Sequence, residues 1–375
     1  MIRVLHSVSY MHRAGVETFL MNYYRYINRD VVQFDFLCNK ELVGCYDEEI
    51  KKLGGRLFYR PNFEQRKEEN YALFWKEFLN EHPEIDILHA HNGAKQCFPL
   101  IGAKNAKFPI RIAHAHSTEF VHDDKYEYRL NLIKQLPEVA THFFGCSNMA
   151  GDFFFGKRLW NEKGVLIRNA IPSSNYVWNS DIRKKGRDEL DLGDCFVIGN
   201  VGRFQKQKNH ERLVDIFSEV YKKNNSSRLI LIGTGKLEGK IKEKTKKLGL
   251  EHAVIFLGEQ KDMSKWYQVM DVYVMPSFFE GLTLSGIEAQ ASGLPCVFSD
   301  VISRETKMTE DVRFISLDKD NSAWAEEILS YEKYKRKNTQ KEIINAGYDV
   351  VLEAKKLEKL YVEIIKTCFN DVLDG

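Results

Sequence analysis

The sequence predicts an α/β protein built as two doubly wound domains with parallel, Rossmann-like sheets. The chain has 375 residues, more than one ordinary core accommodates. Short apolar runs alternate with stretches of 3.6-residue apolar spacing, as strand–helix–strand units require. The alternation runs once, breaks at a polar stretch, and runs again.

In the first half the candidate strands are "IRVLHS" (2–7), "QFDFLC" (33–38), "IDILHA" (85–90), "IRIAHA" (110–115), "HFFGCS" (142–147) and "GVLIRN" (164–169). In the second they are "CFVIGNV" (195–201), "SRLILIG" (227–233), "AVIFLG" (253–258), "DVYVMPS" (271–277), "LPCVFS" (294–299) and "VRFIS" (312–316). Nearly continuous apolar strands are those of parallel sheets covered on both faces. Helices fit between them: Val16, Phe19, Leu20, Tyr23, Tyr24 and Ile27 keep helical spacing, as do Leu213, Ile216, Phe217 and Val220. The stretch "IPSSNYVWNSDIRKKGRDELDLGD" (171–194) is polar, basic and aperiodic, and reads as the boundary. Domains are therefore expected at 1–175 and 190–350, with a charged C-terminal helix at about 350–375. The apolar face of that helix, including Val351, Leu357, Leu360, Tyr361 and Ile364, needs a partner surface.

Composition narrows the function classes. A net charge of +2 argues against a nucleic-acid binder held by bulk electrostatics. The seven cysteines are scattered and form no CxxC, so reduced, buried thiols of a cytoplasmic protein are expected. "MIRVLHSVSY" is too short and polar for a signal peptide. No apolar run approaches the roughly 20 residues of a membrane span. Contact with a membrane is then expected only at its surface, where "FFFGKRLW" (153–160) and "KYEYRLNLIK" (125–134) set aromatics beside cations.

In open parallel sheets ligands bind beyond the carboxyl ends of strands, and the motifs fall on strand-to-helix loops. In "HSVSYMHRAGVETFL", Gly15 at a helix entry lets N–H groups approach an anion, although a plain loop glycine explains it equally well. In "GNVGRFQKQKNHERL", Arg203 ends a buried strand and Lys208 lies at or near the next helix, so two cations converge on a site suited to a diphosphate. Lys206 reads as a solvated loop charge. "LIGTGKLEGKIKE" fits neither dinucleotide nor P-loop spacing.

Two His-x-His pairs, "LHAHNG" (88–93) and "IAHAHST" (113–118), end strands. Each pair faces one side, but the carboxylates that would complete a metal site, Asp123 and Asp124, lie on a separate loop, so no metal is expected. His89 and His91 read as structural hydrogen-bonding groups, and His116 as a polar orienting group.

The most specific stretch is "PSFFEGLTLSGIEAQASGLP" (276–295). A strand leads through a loop into a helix that Gly293 and Pro295 end. N–H groups around Gly281, Leu282, Thr283 and Leu284 are left unpaired by the helix and can serve a phosphate. Glu280 ahead of the helix and Glu288 inside it can accept from hydroxyls. Carboxylates do not bind phosphate; they bind the hydroxyls flanking it, and that combination describes a nucleotide sugar.

With these residues in order, the chain resembles the family 4 glycosyltransferases, retaining sugar transferases of the GT-B fold. The resemblance rests on Glu280-x7-Glu288, the preceding Pro276-Ser277, Arg203 and Lys208, the loop at Gly15, and "SGLPCV" after the helix, and it spans nearly the whole chain. Within the family it is most similar to bacterial enzymes of capsule and exopolysaccharide synthesis. The resemblance implies two Rossmann-like domains facing a cleft, the first binding acceptor and the second the nucleotide sugar, with the C-terminal helix crossing back to the first. It implies that Arg203 and Lys208 stabilise the departing diphosphate, Glu288 holds the ribose, and Glu280 holds sugar hydroxyls. His116 lies near the transferred sugar, and Gly15 sets the first loop against the diphosphate. It further implies a UDP-sugar donor as substrate rather than cofactor, a glycan or lipid-linked acceptor, retention of configuration, and no required metal. One departure stands out: the family often has two glycines at the first loop, and here Ala14 precedes Gly15.

Two other readings compete. A non-catalytic nucleotide-sugar binder of a polysaccharide assembly complex would not need Glu280, Glu288, Arg203 and Lys208 all in place. An NAD-dependent oxidoreductase on the same architecture would carry GxGxxG after its first strand, which is lacking here.

Overall fold

The structure is a computed structural model that describes residues 1–39, 41–59, 68–280 and 282–373. It divides into two compact units, Met1–Ala170 with Asp349–Gly375, and Ile171–Tyr348.

The first unit is built on a seven-stranded sheet of β1 (Ile2–Val8), β2 (Val32–Cys38), β3 (Leu57–Tyr59), β4 (Ile87–Ala90), β5 (Arg111–Ala115), β6 (His142–Gly145) and β7 (Gly164–Leu166). Its order is β3-β2-β1-β4-β5-β6-β7, and every pairing is parallel. The second unit repeats the plan with β8 (Val197–Val201), β9 (Arg228–Ile232), β10 (Val254–Gly258), β11 (Val272–Met275), β12 (Cys296–Ser299) and β13 (Val312–Ile315). Its order is β10-β9-β8-β11-β12-β13, again parallel throughout. Both are doubly wound sheets whose order reverses beside the first strand, the switch point at which loops part to leave room for a ligand. Central strands such as β2, β4, β11 and β12 are buried along their whole length. That is why they read as nearly continuous apolar runs, with the few buried polar residues paired, as Asp35 is with Arg3 and Arg56.

Two elements escaped the sequence reading. β3 has only three residues, all at least partly exposed, and so shows no apolar run. The stretch 171–194 contains the helix Ser180–Glu189, capped by Asn179, whose side chain accepts from the N–H groups of Asp181 and Ile182. The helix is too polar to display a stripe, and it is held electrostatically. Arg183 Nη1 donates to the carbonyls of Gln268, Val269 and Met270 at 3.0, 3.0 and 2.9 Å, and its Nη2 reaches Asp271 at 2.5 Å. Arg187 donates to Val269 O at 3.0 Å and Asp271 at 3.2 Å. From the other side Arg336 donates to Tyr267 O at 2.7 Å and also to Met270 O. Three guanidiniums thus satisfy the carbonyls that end the helix Met263–Val269, where the helix dipole favours positive charge. Asp271 then starts β11 by accepting from Val197 N–H at 2.8 Å.

The C-terminal helix Val350–Leu373 packs in the first unit against the helix Gly15–Tyr26. Val350, Ala354, Leu357, Tyr361 and Ile364 are buried, whereas Val351 is exposed and Leu360 only partly covered. The apolar stripe therefore begins one residue before the expected Val351, because buried Val350 and Ala354 are in phase with it. The expected membrane-facing aromatics are also partly internal: Phe154, Phe155 and Trp160 are buried. Gly151 and Gly164 leave the space that the Trp160 ring occupies, since a Cβ on either would stand 2.1–2.2 Å from it. Tyr128 remains exposed. Among the described residues no helix is long and apolar enough to cross a membrane.

The arginine contacts make a prediction. Arg336→Ala removes the arginine donor of the buried Tyr267 carbonyl and one of the two donors of Met270 O, leaving only Arg183 there, and is expected to cost about 2–4 kcal/mol in urea unfolding. Lys335→Ala, at an exposed neighbouring position, is expected to change stability by less than about 0.5 kcal/mol.

Candidate active site

In the second unit the loops after β8 and β11 flank the switch point, and both carry the expected polar residues. β8 runs through Gly202 into Arg203, which is exposed and forms no ion pair among the described residues. The turn is tight because β9 ends beside it: a Cβ on Gly233 would stand 2.2 Å from Gly202 O, and Gly233 has φ +132°, so glycine is required there twice over. Lys206–Lys208 then form a 3₁₀ turn, and Asn209, left-handed at φ 54° and ψ 42°, redirects the chain into the helix His210–Lys223.

That turn is stitched to the loop after β11. Phe278 N–H donates to Gln207 O at 2.9 Å, and Asn209 Nδ2 donates to Pro276 O at 3.0 Å. Gln207 Nε2 donates to Phe279 O at 3.0 Å and to Glu280 Oε2 at 3.3 Å. Lys208 Nζ lies 2.7 Å from Glu280 Oε1, with side chains 16% and 7% exposed. The two residues expected to act on different parts of a ligand are thus already paired with each other. A largely buried pair in this setting is costly to break from one side, because the survivor keeps an uncompensated charge.

Beyond Glu280 the chain enters the helix Leu284–Ala291 with Thr283 at its N-cap and no side-chain acceptor for the first N–H groups. Thr283 Oγ1 instead pairs with Ser285 Oγ at 2.9 Å, which also accepts from Tyr273 OH at 3.0 Å. Leu282 and Thr283 are buried and Leu284 is half-buried, whereas Gly281 lies outside the described residues. The helix start therefore keeps N–H groups that an anion could accept from.

Glu288 is differently placed from a free clamp. It is 7% exposed. Tyr176 OH donates to its Oε1 at 2.9 Å, and Tyr267 OH to its Oε2 at 2.8 Å. Burial pushes its carboxyl up to about 7, against the pull of the two tyrosine hydrogen bonds. Neither tyrosine was singled out by sequence, nor was Gln207. Tyr176 sits in the stretch read as a linker, Tyr267 in an ordinary helix, and Gln207 between two lysines.

The first unit holds the other two expected residues. Gly15 opens its helix with an exposed, uncrowded position where an added Cβ would meet nothing within 4 Å. Phe19, one turn on, lies edge-on to His116 with ring centroids 5.3 Å apart. His116 follows β5 and is not alone: its Nε2 stands 2.9 Å from His91 Nδ1, and His91 Nε2 stands 3.0 Å from His6 Nδ1. A parallel row joins His114 Nδ1 to His89 Nε2 at 3.1 Å and His89 Nδ1 to Tyr361 OH at 2.8 Å. Burial lowers His6 and His116 to about 3 and holds His89, His91 and His114 well below the usual range, so all five imidazoles are neutral.

Glu288 gives a signed pH prediction. Its native carboxyl titrates near 7 and the unfolded one near 4.5, so the native state binds the proton more tightly. Stability is then lost as pH rises between those values, by on the order of 3 kcal/mol for this group. Glu288→Gln cannot ionise and is expected to lose that slope when unfolding at about pH 5 and about pH 8 is compared with wild type.

Three comparisons place this architecture among known proteins. Residues 195–332 match the family described as Glycosyl transferases group 1. Over 368 residues, 96% of this chain and 96% of the relative, the sequence is 33% identical to the putative glycosyltransferase EpsF of Bacillus subtilis (strain 168). It is 24% identical over 312 residues to the UDP-Gal:alpha-D-GlcNAc-diphosphoundecaprenol alpha-1,3-galactosyltransferase of Escherichia coli, covering 79% and 78% of the two chains. In three dimensions it resembles Anabaena Alr3699/HepE, solved in complex with UDP and glucose, with a TM-score of 0.81 over 97% of this chain and 100% of that one at 17% identity. That likeness is one of fold, and the fold is GT-B. With a third of its residues shared along almost its entire length, the chain belongs to the group 1 glycosyltransferases.

Proposed function

We propose that the chain transfers a sugar, with retention of configuration, from a UDP-sugar to a hydroxyl of a glycan or lipid-linked acceptor during synthesis of a bacterial surface polysaccharide. The observation that carries this reading is the joining of the Lys208 and Glu280 loops at an uncapped helix start, beside exposed Arg203. HepE, which shares the fold, holds UDP, and the Escherichia coli relative is named for a UDP-galactose donor. The Staphylococcus aureus capsular polysaccharide biosynthesis glycosyltransferase CapH, 23% identical over 312 residues, points to the polysaccharide.

In this reading the donor diphosphate sits at the start of the helix Leu284–Ala291, on the N–H groups at Thr283 and Leu284. Lys208 has three donors, so it can keep one oxygen of Glu280 while turning another proton to the phosphate. Arg203 adds a second fixed charge. Together they stabilise the leaving diphosphate as the bond to the anomeric carbon breaks, and no bridging metal is needed for that charge. Glu280, fixed by Lys208 and Gln207, accepts from hydroxyls of the sugar. Glu288, oriented by Tyr176 and Tyr267, accepts from the ribose. Gly15 and His116 keep the roles that the family resemblance implies for them.

The ion pair separates the two cations experimentally. Arg203→Ala should lower kcat roughly 10²–10³-fold while stability stays within about 0.5 kcal/mol, because Arg203 is exposed. Lys208→Ala should lose comparable turnover and also several kcal/mol of stability, since Glu280 is left buried without its partner. Unchanged turnover of Arg203→Ala at saturating donor would refute the assignment. Independently, UDP should raise the melting temperature in proportion to its occupancy, and NAD should leave it unchanged.

A further inference from the structure

The first unit gathers more imidazole than sugar transfer calls for. β1, β4 and β5 are parallel neighbours, so His6 and the two His-x-His pairs fall side by side at the carboxyl ends of three adjacent strands. One ring nitrogen from each of His91, His114 and His116 lies within 4.8 Å of the other two. His-x-His on a strand sends both imidazoles to one face, and a histidine from the next strand completes a three-nitrogen set.

A second observation is independent of that proximity. His114 is fully buried, yet its Nε2 has no hydrogen-bond partner. Its other nitrogen is engaged by His89, which is engaged in turn by Tyr361. His91 likewise has one nitrogen held by His6. Both buried histidines therefore have their second ring nitrogen fixed by a further imidazole, as the outer shell of a metal site fixes its ligands.

We propose that His91 Nδ1, His116 Nε2 and a ring nitrogen of His114 bind a zinc-type first-row dication, with His6, His89 and Tyr361 as the supporting shell. The ion takes the place of the proton shared by His91 and His116, which moves to the far nitrogen of its own ring, so each ligand stays a neutral imidazole with one N–H turned away from the ion. Two nitrogens on one tetrahedral ion, each at about 2.0–2.1 Å, stand roughly 3.3 Å apart. The observed 2.9 Å has to open by only a few tenths of an ångström. Three neutral imidazoles without a carboxylate select zinc, copper or nickel over magnesium and calcium. His116 is the one ligand partly exposed to solvent, so the ion enters past it and the fourth position is left to water or an anion. The site lies wholly within the first unit and leaves Nδ1 and the main chain of His116 free to serve the sugar, so it stands apart from the diphosphate chemistry.

The test uses the full chain without a polyhistidine tag, loaded with Zn²⁺, freed of excess by gel filtration and assayed for metal. About one zinc per chain is expected, and a Co²⁺-loaded sample should show the visible absorption of a four-coordinate ion. His114→Ala and His116→Ala should lose the metal, and His89→Ala should bind it roughly 10–100-fold more weakly. His122→Ala, exposed and outside the cluster, should keep it. If circular dichroism shows His114→Ala to be unfolded, His116→Ala, at a partly exposed position, decides the matter. Folded wild type that retains no zinc, or a folded His116→Ala that retains as much as wild type, overturns the proposal. Because the readout is metal content, failure here leaves the transfer reading untouched, and lack of transferase activity would not mimic it.

Discussion

A strand hydrogen-bonded on both sides and covered on both faces has little place for a polar group except at its ends or where a partner meets it, as Arg3 and Arg56 meet Asp35 inside β2. That constraint organises both units. Because all pairings are parallel, the usable ends of every strand lie along one edge of each sheet. The candidate site residues are accordingly found past carboxyl ends: Arg203 and Lys208 after β8, Glu280 after β11, and His116 after β5. The histidines His6, His89, His91 and His114 are at or near strand ends but buried, and they tolerate it by hydrogen-bonding to one another.

The same constraint explains what could be read from the sequence. Twelve strands announced themselves as short, largely apolar runs, the most nearly continuous being those buried along their whole length, such as β11 and β12. β3 did not, being a three-residue edge. The helix Ser180–Glu189 left no periodic trace because its docking runs through Arg183 and Arg187 rather than an apolar stripe. At the candidate site, Glu280, Glu288 and the glycine-bounded helix formed one contiguous motif and were legible together. Their partners were not. Tyr176 reaches Glu288 across 112 residues, and Gln207 reaches Glu280 across 73, and no local pattern encodes such meetings. Each His-x-His pair was visible, but their union depends on β4 lying between β1 and β5, which only strand order reveals.

The electrostatics of the two glutamates diverge for physical reasons. Glu280 is neutralised by a cation at 2.7 Å and fixed by an amide. Glu288 has only hydroxyl donors and an enclosed setting, so burial raises its proton affinity. Two carboxylates eight positions apart on one motif are thus held by different devices, one by charge pairing and the other by neutral hydrogen bonding.

The arginines around Asp271 bear on where this unit can be cut. The span shared with the family runs from residue 195 to 332, yet Arg183 and Arg187 precede it and Arg336 follows it. These three side chains close the end of the helix before β11, and β11 delivers the Glu280 loop. A fragment trimmed to the shared span would present bare carbonyls at the foot of that strand. For grafting or excision, the piece that keeps all three arginines with the strand they support is the longer compact unit from Ile171 to Tyr348.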